Sequence, residues 1–378
     1  MSKPLRVLQV GKFYPIRGGV EKVMYDLTMG LSRREIHCDM LCASTENYTG
    51  GDVVLNAFGR VIVVPTQIKL AATMLAPQMI FKLRKIAKSY DIIHIHHPDP
   101  MACLSLFLSG FSGQVILHWH SDIVKQKKLL MLYKPLQDWL IRRANIIIGT
   151  SPVYVQESPF LKKVQHKTTY VPIGIEALNP DKKISNSLRK KYGDKKIVFA
   201  LGRLVEYKGY THLIKAMSLL DDSYQLIIGG KGPLKEDLTR LISDLNVEHR
   251  VELINYISDE EVASYYDIST LFCLSSTQKT EAFAIVQIEA MSLGKPVVCA
   301  HIDGSGVSWV NAHDKSGMVV EKENANALAG AIRMITNDQS NFDRLSRGAK
   351  DRFNSLFTEE AMIKNTLEIY KKLRQRAE

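Results

Sequence analysis

Short apolar runs of strand length alternate along the whole chain with segments long enough for helices. In the first half the runs are Arg6–Val10, Cys38–Cys42, Val61–Val64, Ile92–His96, Val115–His120 and Asn145–Thr150. Helix-length stretches such as Val20–Leu31 and Ala76–Ser89 lie between them. The pattern restarts at Lys196–Leu201 and continues through Tyr224–Gly229, Val251–Ile254, Leu271–Leu274, Pro296–Cys299 and Gly317–Val320. Strands alternating with helices are the mark of parallel sheets, because a parallel partner is reached only through a crossover. The spacing predicts two doubly wound α/β domains, each offering the carboxyl edge of its sheet to a ligand.

The polar stretch from Asn179 to Lys196 predicts the boundary, after the turn-forming exit Val171-Pro172-Ile173-Gly174-Ile175-Glu176. The expected organisation is a first domain over 1–180, a second over 181–357 and a terminal helix within 358–378 that is free to pack back on the first. No internal repeat or low-complexity tract interrupts this.

A length of 378 residues with 46% hydrophobic content suffices for two such cores. No apolar stretch reaches the roughly 18 to 20 residues that a spanning helix needs. The start, Met1-Ser2-Lys3-Pro4-Leu5-Arg6, passes at once into a strand and leaves no room for a signal peptide, so a cytoplasmic location is expected. Five cysteines without paired spacing predict reduced, buried thiols and no metal site.

Charge changes the picture more. The net charge is +11, and it is uneven: the first 180 residues carry 22 Lys and Arg against 12 Asp and Glu, the remainder 28 against 27. Such asymmetry asks for a polyanion beside the first half, unless it is merely a soluble basic surface. No helix-turn-helix, zinc or RNP pattern accompanies it, so an anionic membrane is expected rather than nucleic acid. The segment Ala76–Lys88 reads as a helix with Met79, Ile80, Leu83, Ile86 and Ala87 on one side and Lys82, Arg84, Lys85 and Lys88 on much of the rest. Lys125, Lys127 and Lys128 follow in the same domain. A basic face beside an apolar one suits a headgroup layer, and equally an ordinary surface helix packed on a sheet.

Candidate chemistry gathers at strand-to-helix turns. Gly11-Lys12-Phe13-Tyr14-Pro15 ends the first strand, and Arg17-Gly18-Gly19-Val20-Glu21 opens the next helix. Glycines there let backbone approach a ligand, and a helix N-terminus favours anions. In the second half, Gly202-Arg203-Leu204-Val205-Glu206-Tyr207-Lys208-Gly209 places two cations five apart on one loop, suited to the charge that develops on a departing diphosphate. Gly229-Gly230-Lys231-Gly232-Pro233 is a second glycine-rich turn. Glu281 and Glu289 stand eight apart, one ending a polar loop and one on the following helix, so both can face one polyhydroxylated ligand. The N–H groups from Ala284 to Val286 open that helix.

These segments, in this order over essentially the whole chain, resemble glycosyltransferase family 4, a retaining family of the GT-B architecture with two Rossmann-like domains facing a central cleft. The resemblance lies in Gly18-Gly19-Val20-Glu21, Gly202-Arg203 with Lys208-Gly209, Gly230-Lys231-Gly232-Pro233, and Glu281 with Glu289-Ala290-Met291 running into Gly294-Lys295-Pro296-Val297. It implies an acceptor-binding first domain and a nucleotide-sugar-binding second one. It assigns the diphosphate to Arg203 and Lys208, the ribose to Glu289 and a donor-sugar hydroxyl to Glu281. Gly18, Gly19, Gly230, Gly232, Ile257, Phe283, Ala284, Ile285 and Val286 complete the implied donor contacts. The family's histidine after the fifth strand resembles His120, followed by Ser121 and Asp122, with His118 as the alternative; His96 and His97 end the preceding strand. One departure stands out. The usual Glu-Gly-Phe-Gly is here Glu281-Ala282-Phe283-Ala284, so a positive φ at either alanine would be strained by roughly 1 kcal/mol or more.

No DxD sequence is present, in keeping with a metal-independent transferase. Phe13-Tyr14-Pro15 and His118-Trp119-His120-Ser121-Asp122-Ile123-Val124 resemble segments of bacterial mannosyl- and rhamnosyltransferases that act on lipid-linked O-antigen or capsule precursors. GDP-mannose is the first expectation for the donor and a UDP-hexose the second. The acceptor is then a lipid-diphosphate saccharide, and the protein sits at the inner face of the cell membrane. A nucleotide-sugar epimerase and a non-catalytic GT-B subunit are the rival readings.

Overall fold

The computed structural model describes residues 4–16, 18–45, 48–70, 73–123 and 127–375. Arg17, Val124 and Lys125 fall outside them, as do the side chains of Lys127 and Lys128. The chain forms two compact units, Met1–Gly174 with Glu359–Glu378, and Ile175–Thr358.

The first unit is built on an eight-stranded sheet. Its spatial order is Thr168–Tyr170, Ile146–Gly149, Gln114–Trp119, Ile92–His97, Arg6–Tyr14, His37–Ser44, Gly59–Val64 and Gly51–Asn56. All neighbours are parallel except the last pair. Val7, Leu8, Val10, Ile93, Ile95, Val115 and Leu117 are fully buried, because helices cover both faces. The second unit carries six parallel strands, all of them legible as apolar runs: Lys196–Leu201, Tyr224–Gly229, Val251–Ile254, Leu271–Leu274, Val297–Ala300 and Gly317–Val320. Spatially they run third, second, first, fourth, fifth, sixth. In each sheet the chain reverses direction beside its first strand, and that switch point opens a crevice at the carboxyl ends.

The unit boundary falls at Gly174 and Ile175, ahead of the polar stretch. Ile175 N–H donates to the Phe357 carbonyl (2.9 Å), which ties the chain into the second unit there. The polar stretch contains the helix Lys182–Tyr192, capped by the Asp181 carboxylate; its composition reflects solvent exposure rather than a linker. The last helix, Glu359–Gln375, belongs to the first unit, where Met362, Ile363, Thr366, Tyr370 and Leu373 form its buried stripe.

The helix at Ala76–Lys88 spans Gln78–Ile86 and continues as a short turn through Ser89. Met79, Leu83 and Ala87 are buried, and Ile80 and Ile86 half-buried. The expected apolar face is therefore spent on packing within the unit. What it leaves outward is Phe81, 72% exposed, with Arg84, Lys85 and Lys88, while Lys82 lies 4.0 Å from Asp52. Among the described residues no helix is long and apolar enough to cross a membrane.

Candidate functional site

The second unit's switch point lies between Lys196–Leu201 and Leu271–Leu274, so the loops after these two strands form one rim. The first loop carries Gly202, Arg203 and a short turn ending in Lys208, with Gly209 opening the helix Tyr210–Met217. Gly209 holds φ +65°, and a Cβ there would lie 2.2 Å from the Ser275 carbonyl, so the close approach of the two loops demands glycine. Ser275 Oγ donates to the Lys208 carbonyl at 2.8 Å and fastens them further.

Across this seam Lys208 Nζ lies 2.5 Å from Glu281 Oε2, with both side chains about nine-tenths buried. Ser276 Oγ donates to the same oxygen at 2.9 Å. Arg203 is exposed, and its guanidinium reaches Tyr207 Oη at 3.5 Å, while Lys208 Nζ sits 5.6 Å from the Tyr207 ring centre. Both cations therefore flank Tyr207, one exposed and one buried. The Tyr210 hydroxyl is pushed above its ordinary range, first by burial and then by the Glu281 charge. It stays protonated beside the pair.

Beyond Glu281 the chain turns through Ala282, Phe283 and Ala284 into the helix Ile285–Ser292. Ala284 caps that helix with φ +63°, a left-handed conformation that an alanine adopts under strain. The expected strain is real at Ala284 and absent at Ala282, whose φ is not positive. Ser305 Oγ donates to the Glu281 carbonyl, and Gly306 N–H to that of Ala282 at 2.9 Å, so a neighbouring loop holds the strained turn. Phe283 is buried against Phe357, with ring centres 5.9 Å apart, which leaves only its backbone for a ligand. Ile285 and Val286 present the first N–H groups of the helix. Glu289 follows on that helix, and its Oε2 accepts a 2.7 Å hydrogen bond from the buried Tyr266 hydroxyl.

The second glycine turn is demanded by packing as well. A Cβ on Gly230 would lie 2.0 Å from the Gly202 carbonyl, and one on Gly232 2.3 Å from that of Leu204. Both glycines let this turn lock against the Arg203 loop. Ile257, 8% exposed, packs against Gly229 behind it.

In the first unit, Gly18 and Gly19 are exposed at the start of the helix Gly19–Ser32, with Gly18 extended as its cap. Glu21 behind them is buried, which raises its carboxyl pKa. The adjoining strands Ile92–His97 and Gln114–Trp119 place His96 opposite His118, so His94, His96, His118 and His120 share one face. All four are fully or nearly fully buried. Burial drives every one of them below the ordinary imidazole range, His118 to about 3, so they are neutral. His96 Nδ1 and His120 Nε2 are 2.9 Å apart with rings inclined by only 15°, an in-plane hydrogen bond. His118 stacks on His120 at 4.0 Å, and neither of its nitrogens has a partner. His94, His96 and His118 bring one nitrogen each within 4.8 Å of the others. Both nitrogens of His96 are already hydrogen-bonded, so a metal there would first have to break this network. His97 lies instead on the other face, stacked 3.8 Å from Trp119. Asp122 accepts from Trp119 Nε1 (2.9 Å) and Ser158 Oγ (2.7 Å), so it anchors the loop after His120.

The structure thus brings Lys208, Glu281 and Ser276 together, sets Glu289 on Tyr266, and joins His120 to His96. Tyr266, Gln9 and Tyr370 escaped sequence reading, since each acts through a partner remote in the chain and lies in an ordinary apolar segment; Ser276, five residues before Glu281, escaped it because nothing in a polar loop tells which hydroxyl turns to the carboxylate.

Comparison with known proteins follows the same division. Residues 17–177 match Glycosyltransferase Family 4, and residues 181–352 match Glycosyl transferases group 1. Over 370 residues the chain is 30% identical to the O-antigen chain mannosyltransferase C of Escherichia coli, covering 97% of this chain and 98% of that one. It is 28% identical to the D-rhamnosyltransferase WbpZ of Pseudomonas aeruginosa, over 94% of this chain and 92% of the relative. Among solved structures, Anabaena HepE in complex with UDP shares the fold, with TM-score 0.78 and 20% identity over 97% of this chain and 100% of that one.

Proposed function

Because the chain belongs to glycosyltransferase family 4 and is a glycosyltransferase of the GT-B fold, we propose that it moves a hexose, with retention, from a nucleotide-diphosphate sugar to a lipid-linked saccharide in O-antigen synthesis. The observation that carries the reading is the buried Lys208–Glu281 pair at the second sheet's switch point, beside the N-terminus of the helix Ile285–Ser292. A donor diphosphate arriving there meets a buried ammonium, an exposed guanidinium on Arg203 and backbone N–H groups. These stabilise leaving-group charge without calling on a metal. Glu281 then accepts from a donor-sugar hydroxyl and Glu289 from the ribose. Retention follows a front-face course: the glycosidic C–O bond to the diphosphate breaks, the acceptor oxygen bonds to the anomeric carbon on the same face, and the departing phosphate oxygen takes the acceptor proton.

GDP-mannose is the proposed donor, supported by the mannosyl- and rhamnosyltransferase relatives; the UDP bound to HepE favours a UDP-hexose as the second reading. The basic first unit is the proposed membrane-facing side, with Phe81, Met131 and Leu132 as exposed apolar contacts. The test is to offer GDP-mannose and UDP-hexoses with a synthetic lipid-diphosphate saccharide and to determine the anomeric configuration of any product. An α-linked mannosyl product supports the reading. Donor hydrolysis or epimerisation that ignores the acceptor refutes it.

A further inference from the structure

His120 does not stand alone: it ends a buried hydrogen-bonded chain that begins on the C-terminal helix. Tyr370, fully buried, accepts from Gln9 Nε2 at 3.0 Å, and its hydroxyl lies 2.6 Å from His94 Nδ1. Gln9 Oε1 lies 2.8 Å from His96 Nε2, and His96 Nδ1 lies 2.9 Å from His120 Nε2. Every group in this chain is buried, and Gln9 lies on the central strand Arg6–Tyr14, opposite His94 of the neighbouring strand Ile92–His97.

An amide has fixed roles: its oxygen only accepts and its nitrogen only donates. Gln9 Oε1 therefore requires the His96 proton on Nε2. A neutral imidazole carries one proton, so His96 Nδ1 is a bare lone pair and accepts from His120 Nε2–H. That leaves His120 with its lone pair on Nδ1, a buried nitrogen that has no partner. The other arm hangs on the same amide: the Tyr370 oxygen accepts from Gln9 and also meets His94 Nδ1. A buried acceptor without a donor is costly, on the order of 1–3 kcal/mol, unless a ligand completes it.

We propose that Gln9, His96 and Tyr370 are positioning residues that fix His120 in its Nε2–H tautomer and so dedicate Nδ1 to accepting a hydrogen bond from a substrate hydroxyl. The identity of that hydroxyl rests on the glycosyl-transfer reading; the tautomer does not. Through Tyr370 the last helix of the chain takes part in setting the imidazole.

The test pairs a spectroscopic with a kinetic readout. In uniformly 15N-histidine-labelled protein, with the His120 signals assigned by their loss in His120→Asn, the wild type should show Nδ1 unprotonated and Nε2 protonated. Gln9→Met, which removes both amide roles, and Tyr370→Phe, which removes only the hydroxyl, should each mix the two tautomers. They should lower kcat on the order of ten- to a hundredfold, by analogy with a metal-bound imidazole that loses its outer hydrogen-bond partners, with donor KM little changed. Gln9→Glu, which still accepts from His96, should restore most of the tautomer and of kcat. A protonated His120 Nδ1 in the wild type overturns the proposal, whether or not the protein proves to be a mannosyltransferase. So does an unchanged kcat in folded Gln9→Met. Where Gln9→Met does not fold, the wild-type tautomer alone decides.

Discussion

Arg203 and Lys208 are five residues apart on one loop, yet one is exposed and the other nine-tenths buried against Glu281. Their removal should therefore differ in stability and agree in activity. Arg203→Ala and Lys208→Ala are each expected to lower turnover on the order of 10²-fold. Only Lys208→Ala should also unfold more readily, by on the order of 3 kcal/mol, because it strands a buried carboxylate. Turnover numbers and urea midpoints check both halves; normal turnover in both variants places the diphosphate elsewhere. Ala284 supplies a second contrast. Its left-handed φ costs an alanine about 1 kcal/mol more than a glycine, part of which glycine loses again through a more flexible unfolded chain. Ala284→Gly should raise stability by up to about 1 kcal/mol in the same urea experiment. A loss instead would mean that the turn is not strained. The alternation at Ala282 and Ala284 was visible in the sequence, but which of the two bears the positive φ depends on how the Ser305 loop clasps the turn.

At the scale of elements, the parallel strands announce themselves because burial on both faces leaves unbroken apolar runs. Gly51–Asn56 gives no such signal: it is an antiparallel edge, with no buried residue and a glycine start. Thr168–Tyr170 is an edge of three half-exposed residues and is equally silent. The histidine strands read plainly as strands, but four histidines on one buried face look like any apolar run, and their hydrogen bonds belong to the assembled sheet. Those elements carry a pH dependence. Burial holds His94, His96, His97, His118 and His120 below the ordinary value of 6.5, with His97 and His118 at about 3. Below pH 6.5 the unfolded chain binds protons that the folded chain refuses, so stability falls as pH drops, by up to about 1.4 kcal/mol per unit for each imidazole. Native-state hydrogen exchange, corrected for its intrinsic rate, should show strands Ile92–His97 and Gln114–Trp119 losing protection between pH 6.5 and 5. Strands of the second unit should lose less. Equal losses in both units would contradict this account.

At the scale of the whole molecule, the excess positive charge belongs to the first half of the sequence, and the outward residues of the helix Gln78–Ile86 show one place where it is spent. With its apolar stripe buried, attraction to a membrane must be chiefly electrostatic, and salt screens it to about 3 Å at 1 M. The protein should sediment with anionic liposomes at low salt and be released at high salt. Reversing Arg84, Lys85 and Lys88 to Glu should abolish binding and spare activity on a short soluble acceptor. Binding indifferent to both would sink the membrane reading. The same two-unit division makes the proposed donor site a property of the second unit, where Glu281 and Glu289 are proposed to take separate tasks. Calorimetric titration of each candidate donor and its free nucleoside diphosphate into wild type, Glu281→Ala and Glu289→Ala measures this most directly. Glu289→Ala should weaken both ligands, and Glu281→Ala only the intact sugar donor. Equal losses for both ligands in both variants, or no loss in either, would contradict a nucleotide sugar held at the switch point of the second sheet.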